Sequence, residues 1–386
     1  EFQYGGPRDI DIFSFKVDYE KPLSENSNLE AGIKTGQTVT DNEIVYENLF
    51  DGRWEFDPTQ SNRFKYTERV SAAYVTYSRR FGKFSAMAGL RAEYASIKGE
   101  SPTMDTTFSR SYLDWFPSAY LQYQIREKQT LNLSYSRKIT RPGYSLLNPF
   151  RRYSDPFTFF SGNPDLNPAY RNTAALRYNI GGYSASLSYS ALSDIFEQDY
   201  VQDDENRTMG LVQRNVGKRE QYTLGVNVPF QAAKWYGLNL YSEASYIMAD
   251  TRSSGEKFRK NYLSASANLN HNFTFSPSFR ARMQMRWFKP TYMGIMQFDD
   301  VWGMDAQIEK TFLDNRLSLS LSCNDIFSTA SDVSGIMKIG NINQTVKQEM
   351  NMRRVMLTVR YSFGSQQIRG ARNRSVGIEE EMGRAR

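Results

Sequence analysis

The chain has 386 residues, with 48 lysines and arginines against 42 aspartates and glutamates, which gives a formal net charge of +6. A membrane-spanning helix needs roughly 20 predominantly apolar residues, and no run of consecutive apolar residues here is longer than four, so helical membrane spans are excluded. The single cysteine and the single histidine exclude an internal disulfide bond and a zinc cluster built from several such ligands.

Apolar and polar residues alternate with period two along most of the chain, which predicts β-strands with one apolar and one polar face. The alternation is clear at 131–136 and clearest at 317–324. It predicts fifteen strands, at about 10–20, 27–40, 65–80, 83–97, 111–125, 129–139, 169–180, 183–198, 208–228, 235–250, 257–275, 278–288, 300–312, 316–329 and 347–363.

Short and long connections alternate between these strands. The short ones include 126–128, 181–182 and 276–278, and the long ones cover about 41–64, 98–110, 140–168, 199–207, 289–299 and 330–346. Short turns at one end and long loops at the other are typical of outer-membrane β-barrels, whose turns are periplasmic and whose loops are extracellular.

Strand length separates a membrane barrel from a soluble β-sandwich or propeller. Strands of globular proteins are usually about 5–6 residues long, whereas a strand that crosses a bilayer needs about 9–11, and many of the predicted strands are longer than that. The apolar faces carry Leu, Ala, Met and Val with aromatic residues near the strand ends, which suits contact with outer-membrane lipid. We therefore predict an all-β fold, a transmembrane antiparallel up-and-down β-barrel.

The most specific motifs lie in residues 129–168. The segment 136–142 reads Ser-Arg-Lys-Ile-Thr-Arg-Pro, and it is followed by Leu-Asn-Pro-Phe at 147–150 and by Gly-Asn-Pro-Asp-Leu-Asn-Pro at 162–168. These motifs resemble the C-terminal barrel of TonB-dependent outer-membrane receptors. Asn-Asp-Ile-Phe at 324–327 is similar to the late Asn-Leu-Phe motif of that family, with Asp-Ile as a departure. The ending Arg-Tyr-Ser-Phe at 360–363 is similar to the aromatic terminus that the barrel-assembly machinery recognises.

The resemblance implies a domain organisation and a set of partners. Residues 1–363 are expected to form about 15 strands of a barrel of about 22, with long extracellular loops at 41–64, 140–168 and 330–346, while the plug domain is expected to lie outside this chain. Residues 364–386 are then a charged periplasmic tail, which their glycines and charges predict to be solvated. The implied partners are the TonB energy-coupling complex, reached through the plug, and the barrel-assembly machinery.

The loop 140–168 is a candidate ligand-binding element. It contains five prolines, which restrict φ and stiffen the loop over the rim, and it carries Arg151, Arg152, Tyr153 and Phe159. Aromatic rings beside guanidinium groups can stack on a sugar ring or hold an anionic ligand. The alternative, which we favour at this point, is that the aromatic residues pack the loop onto the barrel mouth.

A second candidate is the row of Arg280, Arg282 and Arg286 on one face of strand 278–288. The opposite face is apolar and must meet lipid, so the arginines are expected to point into the lumen, where they could guide an anionic substrate. Pairing with lumen carboxylates such as Glu243, or with a plug, explains the same arginines equally well.

No enzymatic, metal-binding or cofactor-binding chemistry is predicted. His271 lies near a short turn, without a serine or aspartate whose spacing would pair with it, and Cys323 lies on an apolar face. No phosphate-loop or dinucleotide motif occurs. The positive charge is spread along the chain, which argues against nucleic-acid binding.

Three functions remain open on the sequence. The resemblance implies TonB-dependent uptake of a scarce ligand, such as a siderophore, haem, a glycan or a peptide. The second is a non-importing structural or accessory barrel that scaffolds partner lipoproteins in secretion or assembly. The third is a self-contained porin of about 14–16 strands.

Overall fold

β-Strands form almost all of the chain, in accord with the period-two pattern. The computed structural model describes residues 2–155, 157–205, 207–253, 256–289, 292–293, 296–330, 332–339, 342–363 and 378–385. The strands in them are β1 (Phe2–Gly5), β2 (Arg8–Ser24), β3 (Ser27–Phe50), β4 (Arg53–Phe56), β5 (Asn62–Phe81), β6 (Phe84–Ser101), β7 (Thr106–Arg126), β8 (Gln129–Thr140), β9 (Arg151–Asp155), β10 (Thr158–Ser161), β11 (Ala169–Ile180), β12 (Tyr183–Asp203), β13 (Thr208–Ala233), β14 (Tyr236–Ser253), β15 (Glu256–Ser276), β16 (Phe279–Lys289), β17 (Tyr292–Met293), β18 (Met296–Phe298), β19 (Val301–Phe312), β20 (Leu317–Asn324), β21 (Asp332–Ile339), β22 (Ile342–Glu349) and β23 (Arg354–Tyr361). Two short helices accompany them, α1 (Tyr144–Leu147) and α2 (Glu379–Ala385). No helix in these ranges is long and apolar enough to cross a membrane.

The long strands form one antiparallel meander in which each strand pairs with the next long strand along the chain. Its order is β2, β3, β5, β6, β7, β8, β11, β12, β13, β14, β15, β16, β19, β20 and β23. Each of the fifteen predicted strands overlaps one of these, so the predicted up-and-down topology is confirmed. The short strands β1, β4, β9 and β10 extend the sheet to nineteen described strands, and β17, β18, β21 and β22 form a separate four-stranded sheet.

The connections at one end of the meander are tight hairpins. Two residues join β5 to β6 and β11 to β12, and there Gly82, Gly181 and Gly182 have φ values of 57°, 55° and 101°. Positive φ at the loop positions matches the twist of a two-residue hairpin, and glycine adopts it without steric cost. At the opposite end the connections carry strands and a helix of their own: β4 lies in 41–64, β9, β10 and α1 lie in 140–168, and β21 and part of β22 lie in 330–346.

A band of leucines runs across the outer face of the sheet. Five leucines on consecutive strands stand opposite one another in register and remain 39–55% exposed: Leu121, Leu133, Leu176, Leu187 and Leu224. The neighbouring row on the other face is polar and includes Gln122, Asn132 and Ser186. Exposed leucines at the same height on five strands suit a hydrocarbon environment, as the strand periodicity predicts.

Aromatic rings border this band near the tight hairpins. Trp235 stacks on Phe273 and Phe275 with centroids 6.2 and 6.3 Å apart, and Phe84 stacks on Phe81 and Tyr123 at 5.5 and 4.7 Å. His271 belongs to the same group, with its Nδ1 2.8 Å from the hydroxyl of Tyr236. Girdles of aromatic side chains are common where a barrel meets the interface between membrane and water.

The two edges of the described sheet are β2 and β23. Among the described residues β2 pairs with β3 and β23 pairs with β20, and no pairing joins β2 to β23. β23, which lies within the predicted strand 347–363, therefore pairs on one side with β20, which lies within the predicted strand 316–329. Of the predicted tail, 364–377 lie outside the described residues. Residues 378–385 differ from the solvated tail expected, because they include α2, whose Glu381 is buried.

Candidate functional site

The loop between β8 and β11 folds onto the inner face of the barrel wall. Tyr144, Leu147 and Leu166 of this loop are at most 2% exposed, and they pack against Phe64 and Tyr66 of β5. The rings of Tyr66 and Tyr144 lie 4.7 Å apart. β5 presents Tyr66 on the face opposite to its exposed Val75 and Tyr77, so this cluster fills part of the lumen near the long connections.

The two proline motifs of the loop bind each other. The amide of Gly162 donates to the carbonyl of Asn148 at 2.9 Å, and the amide of Asn163 donates to the carbonyl of Leu146 at 2.7 Å. A Cβ atom at Gly162 would lie 2.5 Å from both carbonyl oxygens, so only glycine allows this approach. The motifs at 147–150 and 162–168 therefore close the loop on itself, which agrees with the packing alternative favoured above.

The predicted rim residues share one hairpin but make different contacts. The guanidinium of Arg151 lies 4.5 Å from the ring centroid of Phe159, and Tyr153 packs against the same ring at 5.8 Å. Phe159 is buried, and its ring occupies the place that a Cβ atom would take at Gly210 of β13. These three residues thus fasten β9 and β10 to the wall, whereas Arg152 faces a cavity.

That cavity, called the rim cavity below, has a volume of about 310 Å³ and lies between the loop and the upper ends of β3 and β5. Its described lining is Arg8, Thr40, Asn42, Ile44, Phe64, Tyr66, Tyr144, Ser145, Asn148, Phe150, Arg152 and Gly162. The charged residues in this lining are Arg8 and Arg152, so its charge is positive. Oγ1 of the buried Thr40 has no hydrogen-bond partner among the described residues. Asn148 is held by Asn62, whose amide donates to it at 3.2 Å.

Below the rim cavity, the inner wall carries a buried ionic cluster that the sequence did not predict. Glu93 of β6 accepts hydrogen bonds from Arg141 at 2.6 Å and from Arg91 at 2.5 Å, and Nε of Arg141 also donates to the hydroxyl of Tyr112 at 3.2 Å. Arg141 is the second arginine of the 136–142 motif, and this motif is the sequence signal that could have identified it. The first, Arg137, lies 4.9 Å from the ring of Tyr170, whose hydroxyl donates to the buried Asp114 at 2.8 Å.

A second set of charges connects the loop to α2. Arg384 forms an ion pair with Glu68 of β5 at 2.6 Å, and its guanidinium lies 5.4 Å from the ring of Tyr144. The hydroxyl of Tyr144 donates to the same carboxylate at 3.2 Å. Burial, together with the negative charge of Glu68, raises the pKa of Tyr144 to about 12. Tyr144 is therefore neutral at physiological pH and serves as a hydrogen-bond donor.

The predicted arginine row on β16 lies on the polar face of its strand. Arg286 forms an ion pair with Asp305 of β19 at 2.8 Å. Arg286 therefore pairs with a carboxylate of the neighbouring strand, but the partner is Asp305 rather than Glu243. Glu243 instead accepts a hydrogen bond from Tyr241 and stands opposite Ser266. Arg282 lines an open cavity of about 480 Å³. No described contact brings Arg280, Arg282 or Arg286 to the residues of the rim cavity.

No group of three or more histidine, cysteine, aspartate or glutamate side chains able to hold a metal ion occurs in the described part of the chain. The free thiol of Cys323 is half-buried in β20.

Comparison with known proteins agrees with the fold. A profile of the outer membrane protein beta-barrel family matches residues 2–361. Among curated proteins, no sequence matches that of this chain.

Several solved structures share the fold at low sequence identity. The copper transporter OprC aligns with a TM-score of 0.68 and 12% identity over 93% of this chain and 58% of that one. The FrpB iron transporter from Neisseria meningitidis aligns with a TM-score of 0.58 and 15% identity over 93% and 56%. The ferric yersiniabactin uptake receptor FyuA from Yersinia pestis aligns with a TM-score of 0.61 and 10% identity over 94% and 56%. The chain thus spans a little over half the length of these structures.

Proposed function

Because the chain belongs to the outer membrane protein beta-barrel family, we propose that it supplies the wall and rim of a transporter that imports a scarce ligand with energy from the TonB complex. The chain is a multi-pass outer-membrane protein rather than an enzyme. The observation that carries the proposal is the positively charged rim cavity. It is enclosed by the loop between β8 and β11, called the motif loop below, and by the inner face of β3 and β5.

The lining of the rim cavity favours an anionic ligand. Guanidinium groups bind carboxylates and phosphates through charge-assisted hydrogen bonds, and here Arg8 and Arg152 approach the cavity from two sides, on β2 and β9. Asn42 and the hydroxyl of Thr40 add neutral polar groups. A volume of about 310 Å³ is at the lower end of small-molecule sites. A siderophore, haem, an acidic glycan or a peptide that presents a carboxylate therefore fits the chemistry.

The remaining predicted site residues take supporting roles in this proposal. Arg151, Tyr153 and Phe159 hold the hairpin that presents Arg152 to the ligand. Arg280 and Arg282 stand along the polar face of β16, where they provide positive charge on the path of an anion through the lumen.

The partners in this proposal follow from the barrel and its resemblance to TonB-dependent receptors. Outer-membrane lipid surrounds the leucine band, and the barrel-assembly machinery recognises the aromatic ending at 360–363. The TonB complex acts through a plug domain. A surface lipoprotein is the partner in the alternative function, the accessory barrel, and it would bind at the long connections.

Uptake measurements test the proposal. Cells expressing the wild type, Arg152→Glu or the control Arg53→Glu, which changes an exposed residue of β4, are given iron-55 siderophores, haem, and a labelled oligosaccharide and peptide. We expect one anionic probe to accumulate only when TonB is present, with at least a tenfold loss for Arg152→Glu and none for Arg53→Glu, each relative to the amount of assembled barrel.

Other outcomes contradict the proposal. If no probe accumulates and a lipoprotein copurifies with the barrel, the chain is an accessory barrel. If the purified protein conducts ions as an open channel and the probes enter without TonB, it is a porin.

A further inference from the structure

The helix α2 lies against the inner face of the barrel wall. Glu381 is 6% exposed, and it forms an ion pair with Lys34 of β3 at 2.9 Å. Two residues further along β3, a Cβ atom at Gly36 would lie 3.4 Å from Oε1 of Glu381, so the small residue leaves room for this side chain. Lys34 stands opposite Ala72 of β5, on the face that also carries Glu68.

α2 forms a second ion pair with the wall, in which the helix contributes the positive charge and the wall the negative charge. Arg384 pairs with Glu68, which is 2% exposed, through contacts of 2.9 and 2.6 Å to its two oxygens. Residues three apart on a helix share one side, so Glu381 and Arg384 face the wall together. Lys34 and Glu68 therefore form a plus–minus pair on the wall that matches a minus–plus pair on α2, and the match fixes the direction in which the helix lies.

Little space separates α2 from the ionic cluster of the wall. The gap lined by Lys34, Val70, Ala72, Arg91, Glu93, Arg141, Glu381 and Arg384 has a volume of about 10 Å³, which is no more than one water molecule needs. Arg384 also contacts Tyr144, which lines the rim cavity. The helix is thus packed between the wall and the loop that closes the cavity.

We propose that the C-terminal segment is an intramolecular brace: α2 binds a site on the lumen wall formed by Lys34 and Glu68, and through Arg384 it holds Tyr144 and the floor of the rim cavity in place. This inference concerns the chain's own terminus and does not depend on what the barrel transports. The ion pairs are buried, so loss of one partner leaves an uncompensated charge and releases the helix.

Charge reversal and proteolysis test the brace in the intact protein in outer-membrane vesicles. A glutamate-specific protease releases the end of the chain after Glu381 only when α2 leaves the wall, and mass spectrometry measures the released peptide. We expect slow release from the wild type, at least about tenfold faster release from Arg384→Glu, and restored protection in the double variant Glu68→Arg with Arg384→Glu. Met382→Lys, on the exposed side of the same helix, adds no glutamate, so it serves as the control and should release at the wild-type rate.

The brace on the loop is measured separately. Truncation after Gly364 should leave the barrel assembled, because the described part of the removed segment, 378–385, contains the helix α2 and no strand, but should speed protease cleavage at Tyr144–Leu147. Release of the end from Arg384→Glu at the wild-type rate, failure of the double variant to regain protection, or an unchanged loop after truncation would each overturn the proposal. Arg384 lies outside the sheet, so its replacement can be scored even if Glu68→Arg fails to assemble.

Discussion

Nη2 of Arg141 donates to Oε2 of Glu93 at 2.6 Å, and neither side chain is more than 9% exposed. The other carboxylate oxygen accepts from Arg91, which is about one-third exposed. Glu93 thus holds Arg141, the second arginine of the 136–142 motif, 48 residues away in sequence. Since Pro142 and the motif loop follow directly, this ion pair sets the point at which the loop leaves the wall.

Arg141→Met is expected to destabilise the assembled barrel by about 3–5 kcal/mol, because it removes the buried partner of the Glu93 carboxylate and leaves the partly exposed Arg91 to offset its charge. The midpoint of urea unfolding, followed by heat-modifiable gel mobility, measures the loss. Arg141→Met combined with Glu93→Leu should recover most of it, since an apolar pair of similar volume needs no partner. Arg137→Met, in the same motif but only partly buried, is the control. Equal stability of the single and double variants would show that the ion pair does not fix the loop.

Gly162→Ala is expected to open the motif loop. The added methyl group would lie 2.5 Å from two carbonyl oxygens, so the hydrogen bonds of Gly162 and Asn163 must break or shift. Protease cleavage within 140–168 on assembled barrels should become several-fold faster, and barrel assembly itself should change little. Gly5→Ala, where a methyl group meets no atom within 4 Å, should leave the cleavage rate unchanged. If the loop stays protected in Gly162→Ala, the contact between the two proline motifs is not what keeps it closed.

The strands were predictable because period-two alternation is local and persists wherever one face meets lipid. The boundaries of the strands were harder to predict. β3 was predicted to end near 40 but continues to Phe50, because beyond the bilayer both faces meet water and the alternation disappears from Thr-Asp-Asn-Glu at 40–43.

The candidate site was predictable only in part, because several of its contacts join residues that are far apart in sequence. Arg141 lies within the 136–142 motif but was not predicted as a site residue, because its partner Glu93 lies on another strand and no local pattern encodes that contact. The helix α2 was missed because three consecutive glutamates at 379–381 have the composition of a solvated tail. Only the wall residues Lys34 and Glu68 reveal why it is buried.

Order in the turn after β4 is expected to depend on acid pH through Asp57. Oδ1 accepts from the hydroxyl and the amide of Thr59 at 2.6 and 2.9 Å, and these bonds, together with that from Asn48, hold the pKa of Asp57 below its usual range. Because the folded pKa is lowered, the stabilisation is complete above the unfolded pKa and is lost as the pH falls through the folded value.

Hydrogen exchange at the Thr59 and Gln60 amides checks this expectation. After correction for intrinsic rates, protection should be constant near neutral pH and should fall below about pH 4. Asp57→Asn keeps an acceptor oxygen without the charge, so it should be less protected and insensitive to pH. Protection of the wild type that does not change with acid would contradict a role for the carboxylate.

The tight hairpins are expected to face the periplasm and the long connections the cell exterior. In a Cys323→Ser background, Arg53→Cys and Lys128→Cys place single thiols at exposed positions of the two ends. A membrane-impermeant maleimide should label the first on intact cells and the second only after lysis, because long loops of outer-membrane barrels are extracellular. Labelling of Lys128→Cys alone on intact cells would reverse the topology.

The leucine band is expected to tolerate charge far less than the polar face. Leu187 stands in register between Leu176 and Leu224 and is 55% exposed, whereas the adjacent Ser188 points to the other face, opposite Ala175 and Thr223. Leu187→Arg places a guanidinium in hydrocarbon and should cost about 2–4 kcal/mol if the band lies near the bilayer midplane. Ser188→Arg faces a wet lumen, so its cost should be small. Urea unfolding in lipid vesicles gives both values, and similar costs for the two variants would mean that the leucines do not face lipid.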